Sequence, residues 1–79
     1  MSPIVFPTEV YEKHPAPYTL HRNTSHGVYH LMGEFETDYV HFAFRACVAD
    51  HNHDYVWVTD ANGVTLEQYD KDHDDYMDY

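Results

Sequence analysis

The turn sequence Asp60-Ala61-Asn62-Gly63 constrains this chain more than any other feature, because it separates two segments rich in β-branched and aromatic residues. Aspartate at the first turn position and glycine at the fourth favour a type I turn followed by a left-handed residue, since glycine has no Cβ to clash at positive φ. The pattern predicts a β-hairpin with a three-residue loop and a bulge at Gly63.

The register of this hairpin follows from the side chains that each loop would pair. A two-residue Asn-Gly loop places Val58 opposite Glu67, whereas the three-residue loop places Val58 opposite Leu66 and favours an apolar contact. One face is then predicted to lie in the core, and the other is amphipathic and suits a partner or water. The favoured register also pairs Thr59 with Thr65 and Tyr55 with Tyr69. The core face carries Val56, Val58, Val64 and Leu66, and the amphipathic face carries Tyr55, Trp57, Thr59, Thr65 and Glu67.

The polarity of the sequence changes after the hairpin. Residues 67–79 contain six acidic residues and one lysine, a formal charge of −5 in a chain whose total is −10. Tyrosines lie among these acids and tyrosine is enriched at interfaces, so the segment is predicted to bind a basic partner. The alternative is a solvated acidic end that only keeps the protein soluble. The predicted partner-binding residues are Glu67, Asp70, Asp72, Asp74, Asp75, Asp78, Tyr76 and Tyr79, together with Tyr55 and Trp57 of the hairpin.

Other strands are predicted before the hairpin. All four prolines lie within the first seventeen residues, which leaves room for a short edge strand at 4–6 and one or two helical turns at 8–14. Further strands are predicted at 18–22, 28–32 and 39–48. The last is the clearest, because apolar residues alternate along it and β-branched and aromatic residues dominate, although a helix is the competing interpretation. The acidic segment suits either a strand or a helix.

These elements predict a mainly β fold, with α+β left open: one small antiparallel sheet of four to five strands with at most one or two short helices. The single domain of 79 residues comprises a proline-rich arm at 1–17, the sheet at 18–69 and an overlapping acidic segment at 67–79. Cys47 is the only cysteine, so no disulfide supports so small a core, and a homodimer stays open. The expected core is Leu20, Val28, Met32, Val40, Phe42, Phe44, Val48, Val56, Val58, Val64 and Leu66.

The charge balance excludes several classes of partner. With 14 acidic residues and 4 basic ones, the protein is not expected to neutralise nucleic-acid phosphates or to bind anionic membranes, and it should be steered towards basic surfaces. Protonation of all eight histidines would change the formal charge from −10 to −2, so charge-based binding should weaken at low pH. Without a recognisable leader or a long apolar run, a cytoplasmic location is expected, in the host cell if the protein is phage-encoded.

Motifs for metal binding or catalysis are weak, and we expect neither a cofactor nor an enzyme. The alternative metal site is the loop of Asp50, His51, His53 and Asp54, where zinc would need a further ligand such as His73. Asp70-x-Asp72-x-Asp74 resembles the start of an EF-hand calcium loop, but the sixth position is Asp75 where that loop needs glycine.

Taken together, these features predict a non-enzymatic protein that places carboxylates and tyrosines in a basic groove of another protein. Its sharpest form is nucleic-acid mimicry, in which carboxylates replace phosphates and aromatic rings occupy the places of stacked bases. In size, charge and lack of catalytic motifs the chain resembles phage anti-restriction and anti-CRISPR inhibitors, which implies a nuclease or an RNA-guided complex as the target. The alternatives are a regulatory or assembly module that binds through an aromatic sheet face, and a His/Asp metal-binding protein.

Overall fold

The computed structural model describes residues 8–70 and 75–78, which form one antiparallel sheet with two short helices on one of its faces. The strands lie side by side in the order β2-β1-β3-β4-β5. The predicted fold class, a small mainly β domain of the α+β type, is confirmed. In chain order the elements are α1 (Thr8–Lys13), β1 (Tyr18–Asn23), β2 (Tyr29–Phe35), α2 (Val40–Asp50), β3 (Tyr55–Thr59), β4 (Thr65–Asp70) and β5 (Asp75–Asp78).

The turn between β3 and β4 has the predicted geometry. Gly63 has a φ of 85°, and its N–H donates to the carbonyl of Asp60 at 3.1 Å. The Asp60 carboxylate accepts the N–H groups of Asn62 and Val64 at 2.8 and 2.9 Å. Local side-chain chemistry therefore closes this loop, because the aspartate satisfies backbone donors that the turn leaves without partners.

The predicted register holds at the turn and fails one residue later. Thr59 lies opposite Thr65 as predicted, but Val58 lies opposite Glu67 and not opposite Leu66. A β-bulge adds Leu66 to β4, so Leu66 and Glu67, which are 0% and 1% exposed, both reach the core face. Because of the same bulge, the predicted pairing of Tyr55 with Tyr69 is also wrong, and Tyr69 lies opposite Val56.

The predicted strand at 39–48 is wrong, since residues Val40–Asp50 form helix α2. Val40, Phe44 and Val48 are each 3% exposed or less, and they lie on one stripe of the helix that packs on β1 and β3. Phe42 points away from that stripe and is 55% exposed. Spacings of four residues fit both a strand and a helix, so the sequence pattern alone did not distinguish them.

The core is otherwise close to the expected one. Seven of the eleven predicted core residues are buried, and the aromatic side chains of Tyr11, Tyr18 and Tyr69, with Cys47, complete the cluster. These polar-tipped residues were missed because sequence alone does not show a partner for a buried hydroxyl. Four predicted core residues are exposed instead: Val28, Met32, Phe42 and Val64.

The arm packs against the sheet through Tyr18. Helix α1 confirms the helical turns predicted at 8–14, whereas the predicted edge strand at 4–6 lies outside the described residues. The Tyr18 hydroxyl lies 2.7 Å from the carbonyls of Tyr11 and His14. The N–H of Ala61 donates to the Pro15 carbonyl at 3.0 Å, which joins the arm to the hairpin turn. No helix among the described residues is long and apolar enough to cross a membrane.

Candidate functional site

Among residues 8–70 and 75–78, the two helices cover one face of the sheet and leave the other face open. Tyr11 of α1 and His41 of α2 both contact Glu67 on the inner face, so the two helices cover the same side. Because side chains alternate along a strand, Tyr55 and Trp57 of β3 point to the opposite side from Val56 and Val58. The amphipathic face predicted for β3 is therefore the open face of the whole sheet.

Four rings form a continuous row across this open face. Tyr55 and Trp57 stack with centroids 4.7 Å apart and planes 17° apart, and Trp57 stacks on His21 at 4.8 Å and 10°. The His21 ring lies 5.8 Å from that of Tyr29. We call Tyr55, Trp57, His21 and Tyr29 the aromatic row. The pairing of β1 with β3 builds it, because His21 lies opposite Trp57 in the register.

Hydrogen bonds hold the aromatic row in one arrangement. The His21 Nδ1 and Nε2 atoms lie 2.8 Å from the Tyr29 hydroxyl and from the Thr59 hydroxyl, and the Tyr55 hydroxyl donates to Gln68 at 2.9 Å. Burial lowers the pKa of His21, which favours the neutral ring that donates from one nitrogen and accepts at the other. A preorganised aromatic surface loses little side-chain freedom when a partner binds.

The Asp70 carboxylate borders one end of the row. Burial raises the pKa of Tyr55, and the nearby Asp70 carboxylate raises it further. Strand β5 pairs with β4 so that Asp75 lies opposite Asp70, and Asp78 lies opposite Glu67.

The predicted acidic surface needs one correction, because Glu67 does not face solvent. It is 1% exposed. Its Oε2 accepts the Tyr11 hydroxyl, and its Oε1 lies 2.8 Å from Nδ1 of His41. Asp70 is half-buried. The backbone of β5 places Asp75, Tyr76 and Asp78 at the sheet edge, and Asp72, Asp74 and Tyr79 lie outside the described residues.

The contact of Glu67 with Tyr11 and His41 is a buried polar cluster that sequence reasoning missed. His41 is 3% exposed, and its position among apolar residues of α2 would ordinarily be read as the polar side of a strand. Because the three residues come from α1, α2 and β4, no motif within a single segment of the sequence indicates the cluster. Buried on all sides, the cluster joins both helices to the sheet.

In the loop that the sequence offers as an alternative metal site, Arg22 contacts two of the four predicted ligands, His51 and Asp54. Asp54 accepts Arg22 Nη1 at 2.7 Å and the Ser25 N–H at 3.1 Å, while His51 Nδ1 lies 3.1 Å from the same guanidinium nitrogen. Burial alone would raise the pKa of Asp54, but the Arg22 and Ser25 hydrogen bonds hold it below its usual range. The other two predicted ligands, Asp50 and His53, are exposed. Within residues 8–70 and 75–78, no group of three or more His, Cys, Asp or Glu side chains is placed to hold a metal ion.

The open face thus combines stacked rings, hydrogen-bonded ring atoms and the Asp70 carboxylate within one surface. A scan against protein-family models, a search of curated proteins and a search of solved structures found no match to the chain.

Proposed function

We propose that this protein is a non-enzymatic binding module that fills a basic groove of another protein with the aromatic row and the acidic hairpin β4–β5. The observation that carries the proposal is the row of four rings, three of them stacked, on an open sheet face with Asp70 at its end. Large rings held in place by hydrogen bonds are typical of the energetically dominant residues of an interface.

Arginine is the group that this surface suits best. Its guanidinium stacks on aromatic rings and pairs with carboxylates through a planar set of donors. The open face offers Tyr55, at the end of the aromatic row, as a stacking surface and Asp70 beside it as an anion. The net charge of −10 also speeds the encounter with a basic protein, and the effect falls as salt rises.

Within that class, we propose a groove that ordinarily holds DNA or RNA, as in a nuclease or an RNA-guided complex. Such grooves are lined with Lys and Arg for the backbone and often with flat surfaces for bases. The carboxylates of the acidic hairpin would replace phosphates, and the aromatic row would occupy the position of stacked bases. The protein would then act as an inhibitor that competes with nucleic acid.

The second candidate is a regulatory or assembly module that binds through the aromatic row alone. It is favoured by one observation: the hydrogen bonds that join the row to Thr59 and Gln68 involve no carboxylate. In that case the acidity only maintains solubility, and binding depends little on salt.

The test is a pull-down from the source cell at low salt, eluted with a salt gradient and repeated with two variants. For a mimic, changing Asp70, Asp72, Asp74 and Asp75 together to Asn should reduce affinity more than tenfold and flatten the salt dependence. Nucleic acid should also compete with the wild-type protein for the captured target. Unchanged binding by the Asn variant would reject mimicry through the acidic hairpin.

Two variants, Tyr29→Ala and Trp57→Ala, test the aromatic row. Tyr29 is 51% exposed, so its loss should leave the core intact. Both should weaken binding, Trp57→Ala by at least tenfold as expected for an interface hot spot. The matched control is Tyr39→Ala, which removes a 63% exposed tyrosine at the start of α2. If all three variants bind like wild type while circular dichroism shows a native fold, the open face is not the interface.

A further inference from the structure

Strand β2 is an exposed edge of the sheet. Among the described residues it pairs with β1 alone, and α2 packs on β1 and β3, so β2 lies largely beyond the helix layer. The segment leading through β2 exposes four large apolar side chains: Val28 at 52%, Tyr29 at 51%, Leu31 at 59% and Met32 at 38%. An edge strand of this kind presents unpaired backbone groups and apolar side chains to another strand.

The charge of this edge differs from that of the rest of the molecule. Residues 13–33 contain no aspartate or glutamate, whereas twelve of the 14 acidic residues lie in 34–79. In the sheet, β1 and β2 form an acid-poor side whose one acidic residue is Glu34 near the end of β2, and β5 with Asp75 and Asp78 lies at the opposite edge. A basic partner is attracted to the acidic edge, so the acid-poor edge suits a different occupant.

We propose that a second copy of this chain occupies the β2 edge, with the two β2 strands antiparallel about a two-fold axis. Two copies that each carry −10 repel one another over most of their surfaces, and the acid-poor edges, each with Glu34 as its one acidic residue, are where they approach with least repulsion. The apolar residues of 28–32 in each copy then pack against those of the other. Symmetric pairing of one edge with itself also closes the assembly at two copies.

The symmetric arrangement separates the acidic edges. The two five-stranded sheets join into one sheet of ten strands, so the β5 strands lie nine strand spacings apart. At about 4.8 Å per spacing the β5 strands are roughly 43 Å apart, several times the Debye length of about 8 Å at physiological salt. Antiparallel pairing about an axis normal to the sheet also keeps both open faces on one side.

A single strand pair is a small interface, so the dimer should be weak, with a Kd between about 1 μM and 1 mM. Sedimentation equilibrium of the full chain over that concentration range should show a monomer–dimer equilibrium. Raising the salt concentration should strengthen the dimer by screening its repulsion, whereas it should weaken binding to a basic partner. The two proposals can therefore fail separately, since this measurement uses no partner.

The matched variants are Leu31→Lys on the edge and Tyr39→Lys at the start of α2, which add the same charge at similarly exposed sites. Leu31→Lys should weaken the dimer at least tenfold, and Tyr39→Lys should leave it within about threefold of wild type. Hydrogen exchange should show amides of 29–31 becoming more protected as concentration rises. A chain that stays monomeric to about 1 mM, equal effects of both variants, or an open-ended series of larger species from β2-to-β5 pairing would overturn the symmetric dimer.

Discussion

The buried carboxylate of Glu67 provides the most direct stability test. Changing Glu67 to Ala removes an acceptor that the Tyr11 hydroxyl and the His41 ring share in a site only 1% exposed. Each buried donor that loses its partner costs about 1–3 kcal/mol. With the Tyr11 hydroxyl and the His41 ring both left without this acceptor, we expect Glu67→Ala to lower the free energy of unfolding by about 2–6 kcal/mol.

That loss is large for a protein of this size. At about 0.05–0.15 kcal/mol per residue, a chain of 79 residues has roughly 4–12 kcal/mol in total. Urea unfolding followed by Trp57 fluorescence and circular dichroism measures the change. The free energy of unfolding falls by about 1–3 kcal/mol per molar urea, so a less stable variant unfolds at a lower urea concentration. Glu67→Gln, which keeps the shape and one carbonyl acceptor, should cost about half as much.

The control is Glu34→Ala, which removes an exposed carboxylate and should change stability by less than about 0.5 kcal/mol. A double-mutant cycle of Glu67→Gln with Tyr11→Phe should give a coupling of about 0.5–3 kcal/mol, as for residues in contact. If Glu67→Ala unfolds at the same urea concentration as Glu34→Ala, the Glu67 cluster does not stabilise the fold.

Two further predictions concern the hairpin turn. Burial alone would raise the pKa of Asp60, but the N–H groups of Val64 and Asn62 and the ring of His14 hold it below its ordinary value. The stability that the Asp60 carboxylate contributes is therefore present above the ordinary aspartate pKa of about 3.9. It is lost as the pH falls through the lower pKa that Asp60 has in the folded protein. The melting temperature of Asp60→Asn should therefore fall less steeply than that of wild type below about pH 4. If the melting temperatures of variant and wild type fall equally steeply with pH in this range, the prediction is wrong. Gly63→Ala should lower the free energy of unfolding by about 1–2 kcal/mol, because Gly63 has a φ of 85°; equal urea midpoints for variant and wild type would show that the turn adapts.

Helix α2 shows why one element was misassigned. Val40, Phe44 and Val48 recur every four residues, and that spacing suits a strand and a helix equally. The two structures differ in the residues between them: a strand buries Phe42 and a helix buries His41. Hydrophobicity favours burial of phenylalanine, yet His41 is 3% exposed and Phe42 is 55% exposed. The helix is tolerated because the Glu67 carboxylate accepts a hydrogen bond from the buried imidazole of His41. The local sequence around His41 does not indicate that partner.

The candidate site was anticipated in part. Alternation along β3 placed Tyr55 and Trp57 on the face away from the core, and the structure has them on the open face. His21 joins them only because β1 pairs with β3 in a register that sets His21 against Trp57. No property of residues 18–23 alone indicates that stack, so the continuous row is a consequence of strand order.

Residue chemistry within a few positions was enough to specify the Asp60–Gly63 turn, strand β1 and the helical turns of the arm, because turns, caps and alternation are local effects. The rest depended on the packed molecule. The bulge at Leu66 turned Glu67 from the predicted surface to the core, and a helix replaced a strand at Val40–Asp50. In both cases the deciding term is the free energy of burying a polar group, which is favourable only when the fold brings a hydrogen-bond partner from elsewhere in the chain.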